Sequence, residues 1–275
     1  MKIKLLALDL DGTTLRSDNT LSPSVKRAIT TAIENGIEVV AASGRPYGSM
    51  PKSVLEIEGL NYVIASNGAA IYDRHGKRIH SVLLKDLQVT KLLALTEEHD
   101  LIWEAFQEGE TCTDKRYYDN PLQYGCSAAY VDYVRSSRGC SDNMREYIFK
   151  HRKNLDSVEF VCADDSLRNS VRELLEKQLE GVYITSSSKN FVEFMDKDAT
   201  KSNGVRWLCK KLGINIKYTA ACGNADNDVD MIAQAGMGAA VANACKSCKD
   251  CADIIVSAND DDGVAELINI ILNTD

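Results

Sequence analysis

Hydrophobic positions near the start of the chain fall in short, unbroken runs. Leu5-Leu6-Ala7-Leu8 is apolar throughout and stops at Asp9-Leu10-Asp11-Gly12. A run of that kind suits a strand buried on both faces, as in a parallel sheet. Ser22-Pro23 then offers a helix cap and a favoured first helical residue, Val25, Ile29 and Ile33 recur at helical spacing, and Gly36 closes the segment. Ile37 to Ala42 reads as a second strand ending on Ser43-Gly44-Arg45, and Tyr62 to Ala65 as a third ending on Ser66-Asn67-Gly68. Strand, helix, strand, each ending in small polar groups, predicts a right-handed parallel α/β unit. Ile71 to Asp73 and Lys77 to Ile79, joined through Arg74-His75-Gly76, read as a hairpin.

From about Lys85 the pattern changes. Leu87, Leu92 and Leu95 suggest a helix, and Leu101 to Phe106 and Thr111 to Thr113 suggest strands. Pro121 and Gly125 interrupt anything longer. Tyr117, Tyr118, Tyr124, Tyr130 and Tyr133 crowd this stretch, either filling a core or lining a sugar site. Val158 to Val161 reads as a strand, Ser166 as the cap of a following helix, and Val182 to Thr185 with Phe191 to Met195 as a hairpin. After Met195 the first texture returns. A helix beginning near Lys201 stops at Gly213, a strand from Tyr218 to Cys222 ends on Gly223-Asn224-Ala225-Asp226-Asn227-Asp228, and further short strands and a closing helix follow. The pattern predicts a discontinuous α/β domain, 1–84 and 196–275, carrying an inserted α+β domain over 85–195.

The chain has 275 residues, enough for two domains and a substantial core. Its net charge of −8 argues against nucleic acid or an anionic membrane as a general partner. A small anionic substrate stays open, because one cation in a pocket overrides the global sign. The apolar run after Met1 ends at Asp9, too short for a secretory signal, and no later segment is long enough to span a bilayer. Nine cysteines, an odd number, fit reduced thiols in the cytoplasm better than a disulfide scaffold.

Chemistry enters at the strand ends, where ligands of open α/β sheets bind. Asp9 and Asp11 are two residues apart, and acids that close repel unless a cation or a shared proton intervenes. A hard ion such as Mg²⁺ resolves the conflict. A polar turn after a strand is the plainer reading of the same residues, and an EF-hand loop fails for want of its later ligands. Ser43 and Gly44, Lys201, and Asn224 to Asp228 add donors and a cation at other strand and helix ends. Phosphoryl transfer needs such a set: a nucleophile, a neutralising cation and positioned donors.

In this order the segments Asp9-Leu10-Asp11-Gly12-Thr13-Thr14-Leu15, Ala42-Ser43-Gly44-Arg45, Ser66-Asn67-Gly68-Ala69, a late lysine and Gly223-Asn224-x-x-Asn227-Asp228 resemble the haloacid-dehalogenase-like phosphatases. The closest likeness is to the Cof-type hydrolases with a large α/β cap. The resemblance implies a Rossmann-like, doubly wound core, a cap, and a phospho-aspartate mechanism. It implies Asp9 as nucleophile and Mg²⁺ ligand, and Asp11 as general acid/base that also gives the metal its backbone carbonyl. Ser43 and Gly44 would hold the phosphoryl group, and Asn227 would sit near phosphate or substrate. Lys201 would neutralise phosphate and Asp9, with Lys197 a competing candidate. Asp228 would support the metal, and Arg45 and Asn67 would lie at the substrate mouth.

This chain departs from the family at Asn224, where an aspartate usually binds the metal, so weaker Mg²⁺ binding is expected. Cys245, Cys248 and Cys251 match part of an iron–sulfur run, or pack as small buried hydrophobes on one helix. The expectation is a cytoplasmic, Mg²⁺-dependent phosphatase of small phosphorylated metabolites, sugar phosphates foremost, acting as a monomer or small homo-oligomer. The rival is a non-catalytic phosphometabolite binder whose metal site has decayed at Asn224.

Overall fold

The structure, a computed structural model, describes residues 2–162, 164–186 and 191–274. Its strands, in chain order, are β1 (Leu5–Leu8), β2 (Glu38–Ala42), β3 (Tyr62–Ala65), β4 (Ala70–Asp73), β5 (Arg78–Ser81), β6 (Ile102–Gln107) and β7 (Glu110–Asp114). They continue with β8 (Arg138–Ser141), β9 (Leu155–Val161), β10 (Val182–Thr185), β11 (Phe191–Asp196), β12 (Thr219–Gly223), β13 (Met237–Val241) and β14 (Ile254–Val256).

The chain divides into two compact units. The first comprises Met1–Gly44, Met50–His80 and Thr200–Asp275, the second Arg45–Ser49 and Ser81–Ala199. In the first, eight strands run β14-β13-β12-β1-β2-β3-β4-β5. The pairs from β14 through to β3 are parallel, and β4 turns back antiparallel on β3. All four residues of β1 are buried, as its unbroken apolar run requires. Helix Pro23–Glu34 starts where Ser22 accepts from the Val25 amide, and helix Lys201–Leu212 where Thr200 accepts from the Asn203 amide. Val205, Leu208 and Cys209 of the latter pack on Leu5, Val40, Ile64 and Ala221 of the sheet.

The second unit is a six-stranded sheet, β10-β11-β9-β6-β7-β8, antiparallel but for the β7–β8 pair. Trp103, Val158, Phe160 and Phe194 form a core with Val89 and Leu92 of helix Asp86–Leu95 and Val171 and Leu175 of helix Asp165–Gln178. That last helix is capped by Asp164, whose carboxylate accepts from the Ser166 and Leu167 amides, rather than by Ser166. The cap two residues earlier wins because one carboxylate oxygen takes two backbone donors. Tyr117 and Val134 make a second small core with Ile102 and Val161. Among the described residues no helix is long and apolar enough to cross a membrane, and all nine cysteines are free thiols.

Candidate active site

Because β12, β1, β2 and β3 are adjacent and parallel, their carboxyl ends share one edge of the sheet. Asp9 follows β1 directly, its amide donating to the Cys222 carbonyl at 3.0 Å and its carbonyl accepting from Thr14 Oγ1. The chain then turns tightly through Leu10–Thr14 with Gly12 at φ 75°. A Cβ on Gly12 would lie 2.5 Å from Asn224 Nδ2, so only glycine lets the first turn pass this close to the turn after β12. Asn243 Nδ2 donates to the Gly12 carbonyl at 2.8 Å, and Thr13 Oγ1 to Asn224 Oδ1 at 3.2 Å. Neither Thr13 nor Asn243 stood out in the sequence. The threonine lay inside the motif, but only the fold brings Asn243 to it.

At the centre lies a buried ion triplet. Lys201, 1% exposed, puts Nζ at 2.6 Å from Asp9 Oδ1 and 2.7 Å from Asp228 Oδ1. Asp228 spends its other oxygen on the Asn224 and Ala225 amides at 2.9 and 3.1 Å. Its carboxylate therefore braces both the lysine and the turn. Burial works against the Lys201 charge, but Asp228 and Asp9 outweigh it and hold its pKa above the ordinary value. Lys197, the competing candidate, is exposed and lies in the second unit.

Asp9 is 4% exposed, and its Oδ2 is buried without a hydrogen-bond partner. Burial, then the Asp228 charge, push this carboxyl up to about 7 against the pull of Lys201, and Asp11 adds to the rise. An unpartnered buried carboxylate oxygen held against like charge favours a cation. Asp9 and Asp228 against the single Lys201 leave a surplus of negative charge, which a cation offsets. The available donors are all oxygens, as Mg²⁺ prefers. Among the described residues no cluster of three acidic, histidine or cysteine side chains is set to hold a metal, and Asn224 offers an amide oxygen where an acid could stand. Asp226, the other acid of that turn, is exposed and accepts from Ser247 Oγ at 2.8 Å, facing helix Lys246–Cys251.

Ser43, 1% exposed, and Gly44 follow β2, and the Asn67 amide donates to the Ser43 carbonyl at 3.0 Å. Asn227 Nδ2 reaches Asn67 Oδ1 at 2.9 Å. Gly68, at φ 99°, packs against Thr200, where a Cβ would meet the carbonyl oxygen at 2.2 Å. The ends of β1, β2, β3 and β12 are thereby tied to the start of the Lys201 helix. Arg45 belongs to the second unit, where it lies 4.5 Å over the Tyr133 ring and donates to the Ser49 carbonyl. Cys248 and Cys251 use their thiols to dock helix Lys246–Cys251 on the Ala225 and Val229 carbonyls, the packing role.

The sequence matches the haloacid dehalogenase-like hydrolases over residues 6–268. Phosphatase YwpJ of Bacillus subtilis is 30% identical, covering 98% of this chain and 100% of its own. From the same organism, 5-amino-6-(5-phospho-D-ribitylamino)uracil phosphatase YcsE is 27% identical over 97% of this chain and 94% of its own. A haloacid dehalogenase-like hydrolase of B. subtilis superposes with a TM-score of 0.84 at 27% identity, covering 97% of this chain and 99% of that one. With matches running from end to end, the chain belongs to the haloacid dehalogenase-like hydrolase family, as a phosphatase.

Proposed function

We propose that this phosphatase hydrolyses small phosphorylated metabolites through a phospho-aspartate on Asp9, with Mg²⁺ as cofactor. The observation that carries the reading is the buried Asp9–Lys201–Asp228 triplet with Asp9 Oδ2 unpartnered. Asp9 Oδ2, the Asp11 backbone carbonyl and Asn224 Oδ1 would hold the ion, with Asp228 supporting it through the turn. When bound, it supplies charge neutralisation to the phosphoryl oxygens.

Asp9 attacks phosphorus, and the P–O bond to the leaving group breaks. Asp11, partly exposed, gives its proton to the departing alkoxide and then takes one from the water that hydrolyses the acyl phosphate. Lys201, kept protonated, faces the charge that builds between Asp9 and phosphate. Ser43 and the Gly44 backbone hold the remaining phosphoryl oxygens. YcsE is named for a 5-phospho-D-ribityl compound, which supports a sugar or polyol phosphate as substrate here.

Phosphate release from a panel of sugar and polyol phosphates, with Mg²⁺ varied, tests the reading. Asp9→Asn abolishes release while leaving the fold intact. Phosphate binding without turnover in the wild type favours the rival, a binder that lost a metal-site charge at Asn224.

A further inference from the structure

The turn after β3 holds two consecutive non-glycine residues in the left-handed region, Ser66 at φ 48° and Asn67 at φ 53°. Such backbone persists where its surroundings over-determine it, and it gathers at functional sites. Here the surroundings are specific. The Asn67 amide holds the Ser43 carbonyl, a Cβ on Gly44 would stand 3.3 Å from the Asn67 side chain, and Asn67 Oδ1 accepts from Asn227 Nδ2. Asn67 is 3% exposed and Asn227 5%.

One N–H of Asn227 Nδ2 goes to Asn67, and Asn227 Oδ1 is buried without a hydrogen-bond partner. An amide oxygen only accepts, and so do the oxygens of a phosphate dianion. The two repel. The group that satisfies Asn227 Oδ1 is a donor, and in a phosphate monoester the donors lie on the organic portion. A buried acceptor left empty is penalised, so a site holding one selects the ligand that fills it.

We propose that Asn227 Oδ1 is a specificity determinant that accepts from a hydroxyl or N–H of the substrate's organic portion, and that Asn67 is the positioning residue that turns it so. The substrate class is then a phosphorylated sugar, polyol or amino compound with a donor close to the phosphoester. This inference rests on the phosphatase reading above, but gives Asn227 a partner other than the phosphate.

The test compares kcat/KM for the best sugar or polyol phosphate of the panel with that for p-nitrophenyl phosphate, which carries no such donor. Asn227→Ala is expected to lower the first roughly 10- to 100-fold more than the second, the effect of one lost buried hydrogen bond. Asn67→Gly, which suits the left-handed backbone but removes the amide, moves the ratio in the same direction. Asn67→Asp restores it, because a carboxylate accepts from Asn227 Nδ2 and so fixes the same orientation. Equal losses on both substrates overturn the proposal and show Asn227 turned the other way, donating to phosphate. So does an unchanged ratio in Asn227→Ala, or a ratio that Asn67→Asp fails to restore. No turnover of either substrate by the wild type is a different failure: it removes the phosphatase reading itself, and this proposal with it.

Discussion

Each unit buries a cluster of charge, and the two clusters are built on opposite principles. In the first unit, Asp9, Lys201 and Asp228 come from segments 192 and 27 positions apart and sit at a strand end, a helix start and a turn. In the second, Glu104, Glu159 and Glu193 stand side by side in mid-strand, Glu159 directly opposite both of its neighbours across β6 and β11. Arg138 Nε reaches Glu104 Oε1 at 2.7 Å, and its guanidinium lies 4.9 Å from the Tyr133 ring. The first cluster is only partly offset by a lysine and leaves a carboxylate oxygen open at the ligand edge of the sheet. The second is partly offset by an arginine and a proton. Burial, then the Glu104 charge, hold Glu159 well above the usual carboxylate range, while Glu104, which burial alone would raise, is kept low by Arg138 and by Glu159. Position separates the roles. Charge buried at strand ends can reach a ligand, whereas charge buried along a strand serves the sheet.

Removing the cation of each cluster should expose this difference. Lys201→Met leaves Asp9 and Asp228 face to face in a buried site, and is expected to cost about 3–5 kcal/mol of stability. It should also cut phosphate release by roughly 10³-fold or more, since the charge opposite the transferring group is gone. Urea unfolding and a phosphate-release assay read the two effects. Arg138→Met strands Glu104 in the same way and should destabilise by a similar amount. Its kcat on p-nitrophenyl phosphate, measured well below the unfolding midpoint, should change far less than that of Lys201→Met. Comparable catalytic losses in the two variants would break the distinction.

A third substitution acts on the open side of the first cluster. Asn224→Asp restores a charge to a side chain that already takes a hydrogen bond from Thr13. Mg²⁺ should then half-saturate activity at a concentration on the order of 10-fold lower. Titration of Mg²⁺ against initial rate decides it. Equal or weaker metal dependence would mean that Asn224 does not face the ion.

How far each cluster could be read from sequence follows the same division. Asp9 and Ser43 come straight after an apolar run, and Asn67 and Asn224 one residue later, so strand-end chemistry marks itself in the order of residues. The pairing of Lys201 with Asp228 was less visible, because one residue starts a helix and the other sits in a turn. The second cluster left no such mark. Trp103-Glu104-Ala105 and Val158-Glu159-Phe160 look like strands with one solvated face, and only the Tyr117–Val134 segment packing over Ile102 and Val161 shows that face to be covered. Arg45 reads as a residue beside a phosphate motif, yet it packs on Tyr133, a contact of 88 positions that no local pattern encodes. For the same reason the short excursion Arg45–Ser49 into the second unit, and strand β8, went unforeseen.

The smallest effect expected is also the one most specific to the second cluster. In the unfolded chain Glu159 ionises at the ordinary carboxylate value, near pH 4–5. In the fold it keeps its proton well beyond that point. Below the ordinary value both states are protonated and nothing changes. As pH rises through it, the unfolded chain releases a proton that the fold retains, so stability falls until the buried acid also ionises. Glu104, with its pKa lowered, acts in the opposite sense and in a separate window: its contribution is present above the ordinary value and lost on acidification. Glu159→Gln keeps a donor towards Glu104 and has no proton to lose. The variant's stability, measured by urea unfolding from about pH 3 to pH 9, should therefore decline less than the wild type's on the alkaline side, while the loss on acidification stays. Identical profiles would show that Glu159 is already ionised in the fold. The second cluster would then be offset by its arginine alone, and its contrast with the first would disappear.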